Sequence, residues 1–318
     1  MQESTTPLAQ PSARVDKKVR GSEWTPLRRR EALTGYLFIT PFVAFFVVFI
    51  AKAVFQSVYL SFFDYNPLKK NPPFIGLGNF QELFKDPLWW TSIRNTLLFA
   101  VLTVIGTTIL GLFSAIAVNQ QIRGRNIFRG LFYAPGLLSV GVVGITWAWL
   151  YDQQYGIINY VLHLLGFPPG AVQWLTSANM VLISLSLTTI WWTFGLPMLI
   201  FLAGLQNIPD QLYEAARIDG ASPTQAFQYI TLPLLRPTLL FVSVTGFISH
   251  LQVFGQAYIM PPGVGGPANA SFTVIIYLWQ EALRPLRMGY GSAVAVSLAV
   301  IIVLITLLQF RLLGRREA

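Results

Sequence analysis

Six apolar runs constrain this chain more than any other feature, at roughly 33–54, 95–118, 131–150, 180–204, 238–259 and 291–312. Each holds about 20 predominantly apolar residues, the length a helix needs to cross a hydrocarbon core of about 30 Å. Of the 318 residues, 54% are hydrophobic and 11% charged, and the mean hydropathy is +0.55. A soluble domain needs a much larger polar surface, so the bilayer is the solvent. The expected fold is an all-α membrane protein with six transmembrane helices.

The net charge of +9 suggests a nucleic-acid partner only until its placement is read. Arg14, Lys17, Lys18, Arg20, Arg28, Arg29 and Arg30 precede the first run, and Arg123, Arg125 and Arg129 follow the second. Arg217 and Arg236 follow the fourth, and Arg311, Arg315 and Arg316 close the chain. In an alternating topology all of these fall on one side. The other side carries only Lys69, Lys70, Lys85, Arg94, Arg284 and Arg287, while Lys52 lies within the first run and snorkels to the interface. The positive-inside rule places both termini in the cytoplasm, and the basic excess needs no nucleic acid. Residues 1–30 read as a disordered basic arm, rich in Ser, Thr, Pro and charge, ahead of a membrane domain at 31–318. Arg28–Arg30 read as a topological anchor rather than a twin-arginine signal, and "AKA" at 51–53 as part of the first run rather than a cleavage site.

Catalytic chemistry is scarce. No G-x-x-x-x-G-K-[ST] occurs, so no P-loop ATPase is expected, and the Gly-rich "MPPGVGGPANAS" reads as a mobile turn. The two histidines, His163 and His250, lie in separate segments, cysteine is absent, and no metal site or cofactor is expected. No carboxylate lies firmly inside a run, where an ion-coupled carrier generally keeps one. Trp89 and Trp90 stand where an interfacial aromatic belt would be.

One loop is patterned. "YEAARIDGASPTQAFQYITLPLLRP", from Tyr213 to Pro237, joins the fourth and fifth runs on the cytoplasmic side. Pro209 and Asp210 mark a helix start, and Asp210 and Glu214 suit the positive end of its dipole. Gly220 suits a C-cap or a close approach, and Ser222-Pro223 can open a second short helix. A helix–turn–helix at 209–225 results, with Ala215, Ala216 and Gly220 as a low-relief face. By spacing alone this is equally an ordered amphipathic loop.

The segment "EAARIDGASPTQAFQYITLP" fits the E-A-A-x3-G-x9-I-x-L-P signature at every defining position. On these residues the chain resembles the permease subunits of binding-protein-dependent ABC importers. "EAARIDGAS", "FIGLGNFQELFKDPLWWTSIRNTLLFA" and "GYGSAVAVSL" look most like the carbohydrate branch, the maltose- and glycerol-3-phosphate-type permeases. The likeness spans nearly all of 33–313. It implies a multi-pass protein of a bacterial or archaeal inner membrane, without an ATPase of its own. The implied partners are two ATP-binding cassette subunits, a second permease that is a copy or a paralogue, and an extracytoplasmic solute-binding protein. ATP is bound by the partner subunits.

The resemblance also implies roles. The loop at 209–225 becomes the coupling helix, with Glu214, Ala215, Ala216, Asp219 and Gly220 facing the ATPase subunit. The solute path lies between the runs flanking it, which points to Thr189, Trp192, Thr193 and Leu196 on the fourth. On the fifth, Gly246, Ser249, His250, Val253 and Gln256 form one helical stripe. Sugars are held by aromatic faces and hydrogen-bonding side chains, which this set contains; interhelical hydrogen bonding uses the same residue types. The competing readings are an importer of another solute and a self-contained carrier, and a largely uncharged set of residues disfavours an ionic substrate.

Overall fold

A computed structural model of the chain describes residues 26–121 and 123–314, so the reading of an N-terminal disordered arm falls largely outside the described residues. These residues are mostly helical. The chain forms two compact units that divide after Phe55. The N-terminal unit is a single helical rod, in which α1 (Pro26–Phe45) runs through a π-helical turn, Phe46–Ala51, into the start of α2 (Lys52–Leu60). From Arg30 to Phe55 its side chains are exposed apart from the half-buried Ala32 and Ala51, with Phe38 at 78%, as expected of a helix whose surroundings are lipid.

The second unit is organised around one long helix. An amphipathic α3 (Gly78–Lys85) leads into α4 (Pro87–Asn119), which begins further upstream than hydropathy suggests. The reason is local: Pro87 occupies the first turn, where its missing N–H costs nothing, and the Asp86 carboxylate accepts from Leu88 N at 2.8 Å. Next come α5 (Arg125–Tyr133), a 3₁₀ turn at Ala134–Leu137, α6 (Val140–Leu150) and the short α7 (Ile157–Leu164). The third apolar run is therefore not one rod: its two parts meet at 95°. The fourth run is also broken, into α8 (Val181–Thr193) and α9 (Gly195–Gln206), which meet at 49°.

The connecting loop forms α10 (Asp210–Ile218), α11 (Pro223–Ala226), a π-helical turn at Phe227–Thr231 and α12 (Leu232–Leu234). The remaining helices are α13 (Arg236–His250), α14 (Gly255–Ile259), α15 (Val274–Leu278) and α16 (Met288–Leu313). Among the described residues four helices are long and apolar enough to cross a membrane, and six if each bent pair is one span.

Two apolar clusters flank α4 along its length. Its first half carries Trp89 and Phe99, packed with Leu185, Val253, Phe272, Tyr277 and Val294. Its second half carries Ala115 and Val118, packed with Met198, Phe201, Leu205, Leu235 and Val242. Trp89 is thus a core residue, its ring centroid 5.8 Å from that of Tyr277, while Trp90 stays exposed. The tryptophan pair splits between core and interface.

Polar side chains close the end where α4 begins. Asn95 Nδ2 donates to the carbonyls of Asn269 (2.8 Å) and Phe272 (3.1 Å), and Thr96 Oγ1 accepts from Val274 N at 3.0 Å. The last bond satisfies an orphan donor at the start of α15. Asp86 also accepts from the Tyr277 hydroxyl at 2.6 Å, and the Tyr277 phenol, pushed up by burial and by this carboxylate, donates rather than ionises. Arg287 reaches both oxygens of Glu82 at 2.7 Å.

The α8–α9 break needs a residue without a Cβ. A Cβ on Gly195 would lie 2.5 Å from Phe132 O and 2.7 Å from Tyr133 Cα, both backbone atoms that cannot swing away. Gly195→Ala is expected to cost about 1–3 kcal/mol by overpacking. The control is Gly141→Ala, where nothing lies within 4 Å. Melting curves of the detergent-purified protein should fall for Gly195→Ala and not for Gly141→Ala; equal curves would contradict this packing.

Candidate functional site

The patterned loop folds as two short helices around a tight turn. Gly220 takes φ +78°, and the helix closes by two reversed bonds, Gly220 N to Arg217 O (3.1 Å) and Ala221 N to Ala216 O (2.9 Å). This is a Schellman closure, which satisfies carbonyls that the end of α10 would otherwise leave unpaired. One residue on, Ser222 caps α11 in a reciprocal pair: Ser222 Oγ accepts from Gln225 N at 3.3 Å, and Gln225 Oε1 accepts from Ser222 N at 2.7 Å. The Tyr213 and Thr231 hydroxyls, 2.9 Å apart, tie α10 to the far end of the loop. The result is a braced wedge.

Its outer face is nearly bare. Glu214, Ala215, Asp219 and Gly220 are exposed and Ala216 is half-buried. Among the described residues Glu214 has no ion pair or side-chain hydrogen bond, and it lies past the first turn of α10, so it does not cap its own helix. A carboxylate in that position is available to something outside the chain.

A second feature lies between α4, the end of α5 with the 3₁₀ turn after it, the α8–α9 break and α13. A cavity of about 280 Å³ is lined by Thr193, Leu196, Gly246, Ser249 and His250, all expected from sequence, together with Thr107, Tyr133 and Thr245, which were not. Among the described residues His250 makes no side-chain hydrogen bond to the chain; its ring packs edge-on against Phe99 at 6.2 Å. No Asp, Glu, Lys or Arg lines this cavity. The hydroxyls of Thr107, Thr193 and Thr245 donate to carbonyls of their own helices and keep lone pairs to accept from a guest.

The other expected residues sit elsewhere. Thr189 is fully buried, donates to Leu185 O at 2.8 Å, and faces Gln256 Nε2 at 3.5 Å. Val253 is buried in the cluster around Phe99, and its carbonyl accepts from Thr273 Oγ1 at 3.0 Å. Both Val253 and Gln256 lie beyond the end of α13 at His250, so the five-residue stripe does not continue as one helical face. Trp192 is half-buried, and its indole Nε1 donates to Leu138 O at 3.2 Å. Tyr133 was legible only to a reader who allowed the third run to bend.

Residues 107–317 match the family of binding-protein-dependent transport system inner membrane components, a span that holds both the wedge and the cavity. The chain belongs to that family. It is 39% identical over 285 residues to a probable ABC transporter permease of Bacillus subtilis, covering 89% of this chain and 91% of the relative. A sulfoquinovosyl glycerol transport system permease of Agrobacterium fabrum is 34% identical over 307 residues (96% and 98% covered). A trehalose/maltose transport system permease of Thermococcus litoralis is 32% identical over 285 residues (90% and 95%). The crystal structure of a bacterial alginate ABC transporter, in complex with its alginate pentasaccharide-bound periplasmic protein, contains a chain that superposes with a TM-score of 0.78. That likeness covers 92% of this chain and 97% of the other at 23% identity, and is one of fold. The permease family is a membrane component rather than the ATPase.

The cap on α11 gives a direct test of the wedge's rigidity. Ser222→Ala removes one half of the reciprocal pair, at a cost of about 0.5–2 kcal/mol to that helix. Amide exchange at residues 224–227 of the purified permease should quicken by roughly 2- to 30-fold, with the spans unchanged. Unchanged exchange there would show that the cap does not hold the loop.

Proposed function

We propose that this permease is a transmembrane subunit of an ABC sugar importer, and that it forms the alternating-access path with a second permease. One observation carries the reading: the E-A-A-x3-G signature lies on an internally braced wedge whose Glu214 is exposed and has no ion pair among the described residues. Six spans with both termini and the wedge cytoplasmic follow from the charge distribution, counting each bent pair as one span. The wedge seats in an ATP-binding subunit, with Ala215, Ala216 and Gly220 allowing close approach, Glu214 meeting a cation, and Asp219 beside it. ATP stays on those subunits, and an external binding protein delivers the solute.

A neutral sugar is the solute class that the cavity supports. Its wall offers hydroxyls, one imidazole and the apolar faces of Tyr133 and Leu196, with no fixed charge to bind an ionic substrate. The relatives named for trehalose/maltose and for a sulfonated glycoside support a sugar as the solute, and the uncharged lining is what favours a neutral one. A histidine in a span is costly without a polar partner, and His250, which has no side-chain hydrogen bond among the described residues, finds one in a hydrated or sugar-filled cavity. Thr189, Val253 and Gln256 then act as packing residues behind the wall.

Two substitutions separate the parts of this reading. Glu214→Lys reverses the charge at the docking face, so the complex should lose ATPase subunits or hydrolyse ATP without import, while membrane insertion is spared. Native transport by an intact complex would remove Glu214 from the coupling role. His250→Ala should weaken apparent sugar affinity roughly 2- to 13-fold, the loss of a hydrogen bond of about 0.5–1.5 kcal/mol, with melting temperature and basal ATPase kept. Thr189→Val should instead lower stability with relative uptake of different sugars unchanged. The opposite pattern would exchange their roles.

A further inference from the structure

An apolar groove of about 370 Å³ runs from the first turns of α4 to the middle of α16 and shares no lining residue with the cavity or the wedge. Phe80 and Phe84 of α3 form one wall, Trp90 and Ile93 of α4 the floor, and Val300 and Ile301 of α16 the other wall. The geometry is fixed rather than incidental. Trp90 Nε1 donates to Phe84 O at 3.0 Å, the two rings lie 6.2 Å apart, and Asn79 Nδ2 anchors α3 through the carbonyls of Ser61 (2.8 Å) and Phe63 (2.9 Å).

Two cations flank it. Lys85 ends α3 directly after Phe84, and Arg94 stands on α4 one turn beyond Trp90 and next to Ile93. Both are exposed, and among the described residues neither has an acidic partner, in contrast to the neighbouring Arg287, which is spent on Glu82. At about 50 Å α4 is longer than a hydrocarbon core of about 30 Å, and its apolar run begins only after Arg94, so the turns before that run lie in the headgroup region. Arg94 is therefore placed at phosphate depth, with the apolar groove running beneath it.

We propose that this groove is a binding site for an anionic phospholipid, with an acyl chain between α3 and α16 and the headgroup phosphate held by Lys85 and Arg94. Charge complementarity selects the occupant. A neighbouring apolar helix would fill the groove equally well but would leave both cations unpaired at the membrane surface, whereas a lipid phosphate pairs them. The site also has a structural consequence: α3 abuts Asp86, which caps α4 and accepts from Tyr277, so lipid in the groove braces that end of the molecule.

The test is native mass spectrometry of the assembled, delipidated transporter after exposure to equal amounts of phosphatidylglycerol or phosphatidylcholine. Phosphatidylglycerol should be retained preferentially. The double variant Lys85→Gln/Arg94→Gln should lower that retention by about 5- to 30-fold, at about 1 kcal/mol per basic residue, without changing subunit composition. Phe84→Asp, which spoils the groove and spares both cations, should lower retention of either lipid. Equal retention of the two lipids overturns the proposal, as does no loss in the double variant. Absence of any retained lipid, as expected if a partner subunit fills the groove, overturns it too. None of these outcomes depends on which solute is carried.

Discussion

Inside a hydrocarbon core every backbone N–H and C=O must find a partner within the protein, and the structure is arranged around the places where a straight helix fails to provide one. Three such places matter: the 3₁₀ turn between α5 and α6, the α8–α9 break, and the end of α13 at His250. Side chains answer the freed carbonyls. Trp192 donates to Leu138 O and Thr273 to Val253 O. The cavity is built where these breaks converge, since Tyr133, Gly136, Thr193, Leu196, Pro197 and His250 all lie at or beside them. Irregular backbone at depth is tolerated where it lines a cavity, so in the proposed account the breaks and the solute path are one feature.

The same constraint links the cavity to the wedge. At its front the wedge follows α9, which carries Leu196, and at its back it runs through α12 into α13, which carries Gly246, Ser249 and His250. The Schellman closure at Gly220, the capping pair at Ser222 and the Tyr213–Thr231 contact remove the slack that an ordinary loop would have. In the proposed account, a partner that grips the wedge moves α9 and α13 together, and so moves two walls of the cavity.

Much of this was legible in the sequence because hydropathy and turn chemistry are local. The helical class could be read from hydropathy, and the Asp210 start and the Gly220 and Ser222 caps from turn chemistry, whereas the five cavity residues were singled out by the family resemblance, which says which runs flank the solute path. What escaped depended on breaks. "YAPGLLS" and "FGLP" carried readable signals in Pro135-Gly136 and Gly195-Leu196-Pro197, which a window of about 20 residues averages away. The interruption at 251–254 holds no Gly or Pro, and only Gly255 follows it, so the stripe was extended to Val253 and Gln256 as though the helix continued. Thr107 and Thr245 escaped for a different reason. A hydroxyl in a span reads the same whether it faces a cavity or a neighbouring helix.

The central claim is that the wedge is buried against an ATP-binding subunit. The chain contains no cysteine, so Glu214→Cys introduces a single reactive thiol on the exposed face of α10. Its labelling rate with a membrane-impermeant maleimide, in inverted vesicles with and without the ATP-binding subunits, reports that burial directly. The account predicts rapid labelling of the permease alone and strong protection in the assembled complex; equal labelling in both would contradict it.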